Sequence, residues 1–480
     1  MCISRGLYKM KRYAIILAAG KGTRMKSLLD YKSKVSYEIL GVPLVKHVLN
    51  TLKPLSLDKV VTIVGFGGEV TKSIVEDESA VVWQREQKGT GHAIMQTRPE
   101  LQNEKGSTLI LCGDTPLLTT KTLNQMLEDH ENNHNMLTVL GARVNNPFGY
   151  GRLVINEAGE LLKIVEQKDC SEEQKKINVV NTGVYVFDNE LLYKYLDEIK
   201  PNNKAGEYYL TDLIEIFKNN GHKVATSIIE GDEEMLGIND RVQLAYAAKI
   251  MRRNINNKHM LAGVTIEDPE NTYIGPYVEI EPDTIIKPGT TILGHTHIGQ
   301  RNEIGPNSYL VDVEIGNDNK VIMSHVVESK IGNNNEVGPW ARIRGHALIH
   351  SNSRVGNFVE LKNAELKDGA KSAHLTYLGD CDVGEKTNIG CGTIVANYDG
   401  YNKTHTSIGE RVFVGSGSII ISPLKVGNDS FIAAGTVCTS DVGEDDLAIG
   451  RARQENKHGF SHVIKNSAKA KKEAALKAKK

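Results

Sequence analysis

Hydrophobic residues in the C-terminal half of the chain recur with a period of six. Isoleucine occupies every sixth position at Ile274, Ile280, Ile286, Ile292, Ile298 and Ile304. The spacing returns in two later runs, at Ile331, Val337, Ile343, Ile349, Val355 and Leu361, and at Ile408, Val414, Ile420, Val426 and Ile432. Neither a helix nor a simple alternating strand has this period, whereas a β-helix with one short strand and one turn per hexapeptide does. The pattern predicts a β-helix with a core of stacked aliphatic side chains.

The six-residue period slips twice between Leu361 and Ile408. This stretch contains the polar residues His374, Tyr377, Asn388, Asn397, Tyr398 and Lys403. Insertions into solenoids lie on one face, which is often the binding face. The pattern predicts a loop that leaves the coil here, either as part of a site or as a surface excursion without a role.

The N-terminal half alternates short apolar runs with helical patterns. Residues 13–17, 59–64 and 108–112 are predicted to be buried strands. Strands that alternate with helices are typical of a doubly wound α/β sheet, whose ligands bind at the carboxyl ends of the strands. A helix is predicted at 239–261, where it would act as a rigid spacer.

These patterns divide the 480-residue chain into segments. Residues 10–238 are predicted to form an α/β domain with a Rossmann-like sheet, and residues 239–262 a linker helix. Residues 263–450 are predicted to form the β-helix. Residues 451–480 are predicted to be a C-terminal arm with a lysine-rich tail, a flexible, solvated end rather than a nucleic-acid arm. Residues 1–9 are interpreted as a dispensable extension or a mis-assigned start.

Composition restricts the function classes. Lys+Arg 58 nearly equal Asp+Glu 59, so no net field favours nucleic acid or a membrane surface. The six cysteines are scattered with no CxxC pair, which argues against a disulfide framework and a zinc site. No apolar run reaches membrane-spanning length, and the start lacks the hydrophobic stretch of a signal peptide. We therefore predict a cytoplasmic protein.

The first predicted strand leads directly into a glycine-rich, basic loop at residues 18–25. Gly20 and Gly22 allow backbone N–H groups to approach an anion, while Lys21 and Arg24 add positive charge. The loop matches neither GxGxxG nor the P-loop pattern. We interpret it as a phosphate cradle, the alternative being a tight strand-to-helix turn.

Asp114 follows another predicted strand, at the edge of the sheet where ligands bind. A carboxylate there is suited to holding a divalent cation against a triphosphate. A single aspartate in this position can also cap a helix, but its combination with the phosphate loop favours the metal interpretation.

Several motifs resemble a known enzyme family. The loop Leu-Ala-Ala-Gly-Lys-Gly-Thr-Arg-Met at 17–25 is similar to the signature of sugar-nucleotide pyrophosphorylases. Lys34 and the motifs at 84–92, 149–152, 164–168, 181–183, 206–212 and 237–240 resemble those of the bacterial bifunctional N-acetylglucosamine-1-phosphate uridyltransferases and glucosamine-1-phosphate N-acetyltransferases. The resemblance spans nearly the whole chain. It implies an α/β nucleotidyltransferase domain, a left-handed parallel β-helix of hexapeptide repeats and synthesis of UDP-N-acetylglucosamine from glucosamine-1-phosphate, acetyl-CoA and UTP with Mg²⁺. It also implies a homotrimer.

The resemblance assigns residues to a nucleotide site. Arg24 and Lys34 match cations that stabilise the transferring phosphate, and Asp114 and Asn239 match magnesium ligands. The residues that match UTP and UDP-sugar contacts are Leu17, Ala18, Ala19, Gly20, Lys34, Gln84, Gly89, Thr90, Gly151, Glu166, Asn181 and Asn239. Two positions depart from the family pattern: Ser33 stands where proline is usual, which loosens the backbone before Lys34, and Lys88 stands where an aliphatic residue is common.

The same resemblance assigns a second site to the β-helix. His374 matches the general base that deprotonates the sugar amine, a role that suits a side chain with a pKa near neutral pH. The residues that match contacts to glucosamine-1-phosphate and acetyl-CoA are Arg344, Lys362, Tyr377, Asn388, Asn397, Tyr398, Lys403, Ser416, Ala434 and Arg451. The usual Arg-Pro-Gly-Ala is Arg-Gly-His-Ala at 344–347.

Two alternative functions follow from the same domain plan. The first is a nucleotidyltransferase whose β-helix is only regulatory, against which His374 and the motif at 397–400 argue. The second is a scaffold without catalysis, against which Arg24, Lys34 and Asp114 argue.

Overall fold

The computed structural model describes residues 10–29, 31–157, 159–201 and 206–478. The chain forms two compact units. The first extends to Val278 and includes Thr291–His295, and the second comprises Glu279–Thr290 and the residues from Thr296 onward. The extension interpreted at 1–9 lies outside the described residues, and the predicted domain boundaries stay predictions.

The first unit contains a mixed sheet in the strand order β11-β7-β10-β6-β1-β4-β5, with β8 and β9 attached beside β10. The strands up to residue 230 are β1 Arg12–Ala18, β2 Glu38–Ile39, β3 Val42–Pro43, β4 Lys59–Val64, β5 Ala80–Trp83, β6 Ser107–Cys112, β7 Leu137–Arg143, β8 Arg152–Ile155, β9 Leu161–Val165, β10 Val179–Asp188 and β11 Val224–Glu230. β1 runs parallel to β4 and β6, as the sequence predicts, whereas β10 runs antiparallel to β6 and β7.

Helices cover both faces of this sheet. The helices of the first unit are α1 Leu44–Leu52, α2 Gly68–Val75, α3 Thr90–Met95, α4 Arg98–Leu101, α5 Thr120–Asn132, α6 Asn189–Tyr195, α7 Asp212–Asn219 and α8 Arg241–Leu261. Helix α9, Phe460–Lys477, belongs to the second unit. Successive residues of β1 enter opposite cores: Ile15 packs in one apolar cluster and Ile16 in the other. The helix predicted at 239–261 is confirmed as α8, which Asp240 caps by accepting hydrogen bonds from the N–H groups of Val242 and Gln243, both at 2.9 Å.

The hexapeptide region forms a parallel β-helix. Its short strands are β12 Thr265–Ile266, β13 Tyr273–Ile274, β14 Glu279–Ile280, β15 Ile285–Ile286, β16 Thr291–Leu293, β17 His297–Ile298, β18 Glu303–Ile304, β19 Tyr309–Ile315, β20 Lys320–Val321, β21 His325–Ile331, β22 Glu336–Val337, β23 Arg342–Arg344, β24 Leu348–Ile349, β25 Arg354–Leu366, β26 Lys371–Val383, β27 Asn388–Ile389, β28 Ile394–Ala396, β29 Thr406–Ile408, β30 Phe413–Val414, β31 Ile419–Ile421, β32 Lys425–Val426, β33 Phe431–Ile432, β34 Val437–Cys438 and β35 Leu447–Ala448. In the second unit, Ile280 pairs with Ile298, so three hexapeptides complete one coil. The predicted aliphatic core is confirmed, since Ile298 and Ile304 are fully buried.

The predicted loop between Leu361 and Ile408 is wrong for part of that stretch. His374 and Tyr377 lie on β26 and Asn388 on β27, whereas Asn397, Tyr398 and Lys403 lie on a short hairpin closed by a bridge between Tyr398 and Lys403. The period slips because two corners, between Leu361 and Leu366 and between Leu378 and Val383, are one residue shorter than a hexapeptide, and because the hairpin lengthens the step from Val395 to Ile408. A left-handed residue makes each of these corners, Asn363 with φ 48° and Asp380 with φ 48°.

The lysine-rich tail forms helix α9 instead of the expected flexible end, because alanine and lysine are strong helix formers. Its described side chains are all exposed, as expected of a solvated segment, and residues 479–480 lie outside the described residues. Within the described ranges, no helix is both long and apolar enough to cross a membrane.

Candidate active sites

A cleft of about 370 Å³ opens in the first unit where β1 and β6 end. The predicted nucleotide-site residues that line it are Leu17, Ala18, Ala19, Gly20, Lys34, Gln84, Gly89, Thr90 and Asp114. The parallel strands bring these residues together because their carboxyl ends meet at one edge of the sheet. This edge is the one at which the sequence predicts a ligand.

Lys34 joins the two predicted magnesium ligands. Its ammonium contacts a carboxylate oxygen of Asp114 and lies 3.1 Å from the amide Oδ1 of Asn239. Arg24 also donates to that amide oxygen, from Nη2 at 2.8 Å. The four residues therefore form one cluster of two positively charged side chains and two side chains whose oxygens could bind a metal.

The same contacts test whether a divalent cation fits this site. One ammonium nitrogen touches both Asp114 and Asn239, so the two oxygen donors converge on a single cation position. The described residues contain no group of three or more His, Cys, Asp or Glu side chains arranged for a metal. A carboxylate and an amide suit Mg²⁺, which is bound through one or two protein oxygens, substrate phosphates and water.

Ser33 replaces the usual proline without leaving the loop before Lys34 loose. Its φ of −72° is the value that proline would impose. The Ser33 side chain is fully buried, and its hydroxyl lies 2.7 Å from the hydroxyl of Thr71 on α2. The carbonyl of Ser33 accepts a hydrogen bond from the Ser36 hydroxyl at 2.8 Å. These hydrogen bonds hold the backbone before Lys34 in place of the missing proline.

The loop that leads into α3 is held by contacts across the cleft. Gln84 donates from Nε2 to the carbonyl of Gly89 at 3.0 Å, and the Thr90 hydroxyl accepts the N–H of Leu210 at 3.0 Å. Gly89 has φ 105°, and a Cβ there would lie 2.5 Å from the carbonyl oxygen of Tyr208. This position therefore requires glycine. The side chain of Lys88, which stands where the family commonly has an aliphatic residue, is exposed and forms an ion pair with Glu86.

Gly151, Glu166 and Asn181 form a group of their own beside the sheet. The N–H of Asn181 donates to the carbonyl of Gly151 at 2.8 Å, and a Cβ on Gly151 would lie 3.3 Å from a carboxylate oxygen of Glu166. Burial, with a smaller effect from Asp169, raises the pKa of Glu166. Asn181 is oriented by Tyr185, whose hydroxyl accepts from Nδ2 at 2.8 Å.

Six cleft residues were not predicted as contacts: Val35, Gln87, Ala93, Cys112, Glu207 and Tyr209. Glu207 and Tyr209 belong to the motif at 206–212. The family resemblance includes this motif but assigns it no role, so the motif is the sequence feature that could have indicated these two contacts. Burial raises the pKa of the Cys112 thiol to about 12, so the thiol is a neutral part of the cleft wall.

The second candidate site lies on the β-helix, around two lysines. The ammonium of Lys362 is 3.6 Å from Asp380, and Asn397 donates from Nδ2 to the same carboxylate oxygen. Lys403 lies close to Lys362, and this neighbouring cation lowers the pKa of Lys403. Arg344 donates from Nε and Nη2 to one oxygen of Glu360, at 2.9 and 2.7 Å.

His374 is exposed and fixed by an amide of the neighbouring coil. Its Nδ1 lies 2.8 Å from Oδ1 of Asn357, with which His374 is paired in register between β25 and β26. An amide oxygen accepts, so Nδ1 carries the proton and the lone pair of Nε2 is available. Asn357 was not predicted, because nothing local in the sequence indicates which coil residue faces a histidine.

Ser416, Ala434 and Arg451 lie on later coils. The carbonyl of Ser416 accepts the N–H of Gly435 at 2.8 Å, and a Cβ on Gly435 would lie 3.8 Å from Cδ of Arg451. All three predicted residues are exposed. In residues 206–478, no hydrogen bond links this group to Lys362 and Lys403.

Comparisons with known proteins find matches for both halves of the chain. Residues 13–232 match the nucleotidyl transferase family, and residues 328–363 and 405–440 match the bacterial transferase hexapeptide family of six repeats. A Geobacillus sp. (strain WCH70) protein called "Bifunctional protein GlmU" is 47% identical over 451 residues, 94% of this chain and 98% of the relative. Proteins with the same name from Streptococcus agalactiae serotype V and Streptococcus thermophilus (strain CNRZ 1066) are 45% and 44% identical, over the same shares of both chains.

Proposed function

The chain belongs to the bifunctional GlmU family and is a bifunctional transferase of UDP-N-acetylglucosamine synthesis, and we propose how its two sites divide that work. The β-helix acetylates glucosamine-1-phosphate with acetyl-CoA. The α/β domain then joins N-acetylglucosamine-1-phosphate to UTP and releases pyrophosphate.

For acetyl transfer, His374 is the general base. Its Nε2 takes a proton from the sugar amine, whose nitrogen attacks the thioester carbonyl. The C–S bond breaks, and the thiolate of coenzyme A leaves and takes up that proton from His374. Asn357 supports this role because it holds the proton on Nδ1, at 2.8 Å. Arg344, Lys362 and Lys403 bind the sugar phosphate, since their positive charges gather on one face of the coils. Tyr377 and Asn388 contact the same sugar.

Asn397 and Tyr398 position the acetyl thioester, and Ser416, Ala434 and Arg451 contact coenzyme A. The exposure of the last three supports this assignment, because a long cofactor needs an open surface.

For uridylyl transfer, positioning and charge neutralisation supply the catalysis. A phosphate oxygen of the sugar attacks the α-phosphorus of UTP, and Arg24 and Lys34 stabilise the negative charge that develops. Gln84, Gly89 and Thr90 read the uracil above the backbone of 17–20, while Gly151, Glu166 and Asn181 hold the sugar.

Asp114 and Asn239 would hold a Mg²⁺ ion in the same site. When bound, the ion neutralises charge on the triphosphate. Lys34 would then exchange its contact with Asp114 for one with a phosphate.

We also propose a cytoplasmic homotrimer. The cysteines at 112, 170, 381, 391 and 438 are free, which suits a reducing compartment. Exposed aromatic residues on the coil corners, such as Trp340 and Phe358, suit burial against a second copy of the chain.

The observation that carries the proposal is the contact between His374 and Asn357, because a regulatory β-helix has no need of an oriented, exposed imidazole. Mass spectrometry of products from the purified protein with UTP, Mg²⁺, acetyl-CoA and glucosamine-1-phosphate tests it. We expect acetylated sugar phosphate without UTP, and UDP-N-acetylglucosamine only when UTP and Mg²⁺ are both present. Formation of UDP-N-acetylglucosamine from supplied N-acetylglucosamine-1-phosphate, with no acetylation, would favour the regulatory alternative.

A further inference from the structure

A buried carboxylate to which the sequence motifs assign no role lies at the centre of the second site. Asp380 is 9% exposed, and each of its carboxylate oxygens accepts a hydrogen bond from a different neighbouring coil. Asn363 of the preceding coil donates from Nδ2 to Oδ1 at 2.8 Å, and Asn397 of the following coil donates from Nδ2 to Oδ2. Lys362 lies 3.6 Å from Oδ2. One carboxylate therefore connects three coils of the β-helix.

The backbone that carries this carboxylate is strained and tightly packed. Asp380 adopts a left-handed φ of 48°, a conformation that costs free energy in residues other than glycine and is retained where surrounding contacts impose it. The preceding residue, Gly379, has no room for a side chain. A Cβ there would clash with the hydroxyl of Tyr377 and lie 2.8 Å from Nδ2 of Asn397. The corner is thus built to bring Asn397 against Asp380.

Asp380 also balances a concentration of positive charge. Burial raises its pKa, but the hydrogen bonds from Asn363 and Asn397 and the charge of Lys362 outweigh burial and lower the pKa, so the carboxylate stays ionised. Lys403 lies close to Lys362, which lowers the pKa of Lys403, and Arg344 adds a further positive charge nearby. These cations would repel one another without a carboxylate between them.

We propose that Asp380 is a positioning residue for acetyl transfer, an inference that rests on the proposed function of the second site. It fixes the side chain of Asn397, and with it the start of the hairpin, where the Asn397 carbonyl accepts the N–H of Thr404 at 2.9 Å. Its charge holds Lys362 beside Lys403. Asp380 therefore couples the group that binds the sugar phosphate to the residue that positions the thioester.

The test compares two variants in the full-length protein. Asp380→Asn keeps the shape but removes the charge and turns one acceptor into a donor. Asn363→Gly removes one of the two amides that hold Asp380, and glycine adopts the left-handed backbone of residue 363 without strain. We expect Asp380→Asn to lower kcat/KM for acetyl transfer by about 10- to 100-fold and to raise KM for glucosamine-1-phosphate. Asn363→Gly is expected to cause a smaller loss, of several-fold.

A pH profile separates positioning from a merely structural role. Lys362 lowers the pKa of Lys403, and the negative charge of Asp380 opposes that effect. Removal of the Asp380 charge should therefore lower the pKa of Lys403 further and move the alkaline limb of kcat/KM for acetyl transfer to lower pH. Asp382→Asn is the matched control, because this carboxylate lies on the same strand and contacts His405 at 3.0 Å, away from the lysines. The control and uridylyl transfer in all variants should match the wild type.

The outcomes separate the two hypotheses. If the wild type acetylates and both variants match it in kcat, KM and pH profile, the positioning role is wrong while the proposed function stands. If Asp380→Asn does not fold, Asn363→Gly decides: wild-type acetylation by that variant overturns the role, and a several-fold loss with an unchanged unfolding midpoint supports it. A wild type that does not acetylate contradicts the proposed function, and the positioning role with it.

Discussion

Lys34 and Asp114 form an ion pair in the nucleotide cleft although they come from different loops, 80 positions apart in the sequence. Their side chains are only 16% and 14% exposed, so the pair lies in surroundings where an uncompensated charge is costly. A substrate phosphate and a divalent cation would separate the pair and satisfy both partners. Each partner therefore compensates the charge of the other inside the cleft.

We expect Asp114→Ala to abolish uridylyl transfer and to leave acetyl transfer unchanged, because the carboxylate acts only where the triphosphate binds. Both rates measured on one preparation, over a range of Mg²⁺ concentrations, check this. Asp77→Ala, at an exposed carboxylate of the same unit, is the control. Most UDP-sugar formation retained at saturating Mg²⁺ would remove Asp114 from the metal site.

We expect His374→Ala to reduce acetyl transfer by about 10²–10⁴-fold, the usual contribution of a general base. Uridylyl transfer from supplied N-acetylglucosamine-1-phosphate should be unaffected. The pH dependence of the acetylation rate is the measurement that decides the role. A variant whose rate follows the wild type at every pH would make the histidine structural. His350→Ala, at a half-buried histidine that pairs with Glu365, serves as the control.

Gly89→Ala should raise KM for UTP by about 10-fold or more, because a Cβ would lie 2.5 Å from the carbonyl oxygen of Tyr208 in a left-handed backbone. Gly231→Ala is the control for backbone strain without a steric clash. Gly231 has φ 91°, but no atom lies within 4 Å of its Cβ position. Steady-state kinetics of both variants test this. Equal effects of the two substitutions on KM would contradict the steric argument.

We expect acetyl transfer, but not uridylyl transfer, to depend on the proposed homotrimer. Trp340 and Phe358 are 56% and 54% exposed and stack at 5.4 Å, and Phe358 follows the residue that orients His374. We expect Trp340→Glu with Phe358→Glu to dissociate the trimer and abolish acetylation while sparing uridylyl transfer, because charge at a buried interface is costly. Phe148→Glu, at an exposed aromatic of the first unit, is the control.

A fragment that ends near Met251 should transfer uridylyl groups without forming trimers, since it retains the whole sheet of the first unit. Sedimentation combined with both activity assays checks the two predictions on assembly. A monomer that acetylates at the full rate would contradict them.

His130 should make the α/β domain sensitive to acid. Burial lowers its pKa from 6.5 to about 4, and its Nδ1 lies 2.9 Å from the hydroxyl of Thr138. A lowered pKa means that the folded state favours neutral histidine. This contribution to stability is therefore fully present above pH 6.5 and is lost as the pH falls toward 4, by about 3 kcal/mol in total.

Unfolding midpoints measured between pH 4 and 7 test this effect. We expect the loss of stability at acid pH to be smaller in His130→Gln than in the wild type. The control is His134→Gln, at an exposed histidine just beyond α5. Parallel pH profiles of His130→Gln and the wild type would contradict the argument.

The sequence alone determined those features that depend on local patterns. A six-residue period dictates a β-helix because only that coil places every sixth side chain inside, and the buried strands of the α/β sheet follow from uninterrupted apolar runs. The predictions at 13–17, 59–64 and 108–112 therefore agree with β1, β4 and β6. The motif at 17–25 identified the edge of the sheet where the cleft opens.

Which distant side chains meet depends on the tertiary fold. Lys34 reaches Asp114, Asn357 orients His374, and Asp380 joins Asn363 to Asn397, because the strand order and the stacking of coils bring them together. The slipped period was visible in the sequence, but a shortened corner and an inserted loop disturb a repeat in the same way. The register between β25 and β26 distinguishes them, since Leu361 pairs with Leu378 and Leu366 with Val383, and His374 lies on a strand.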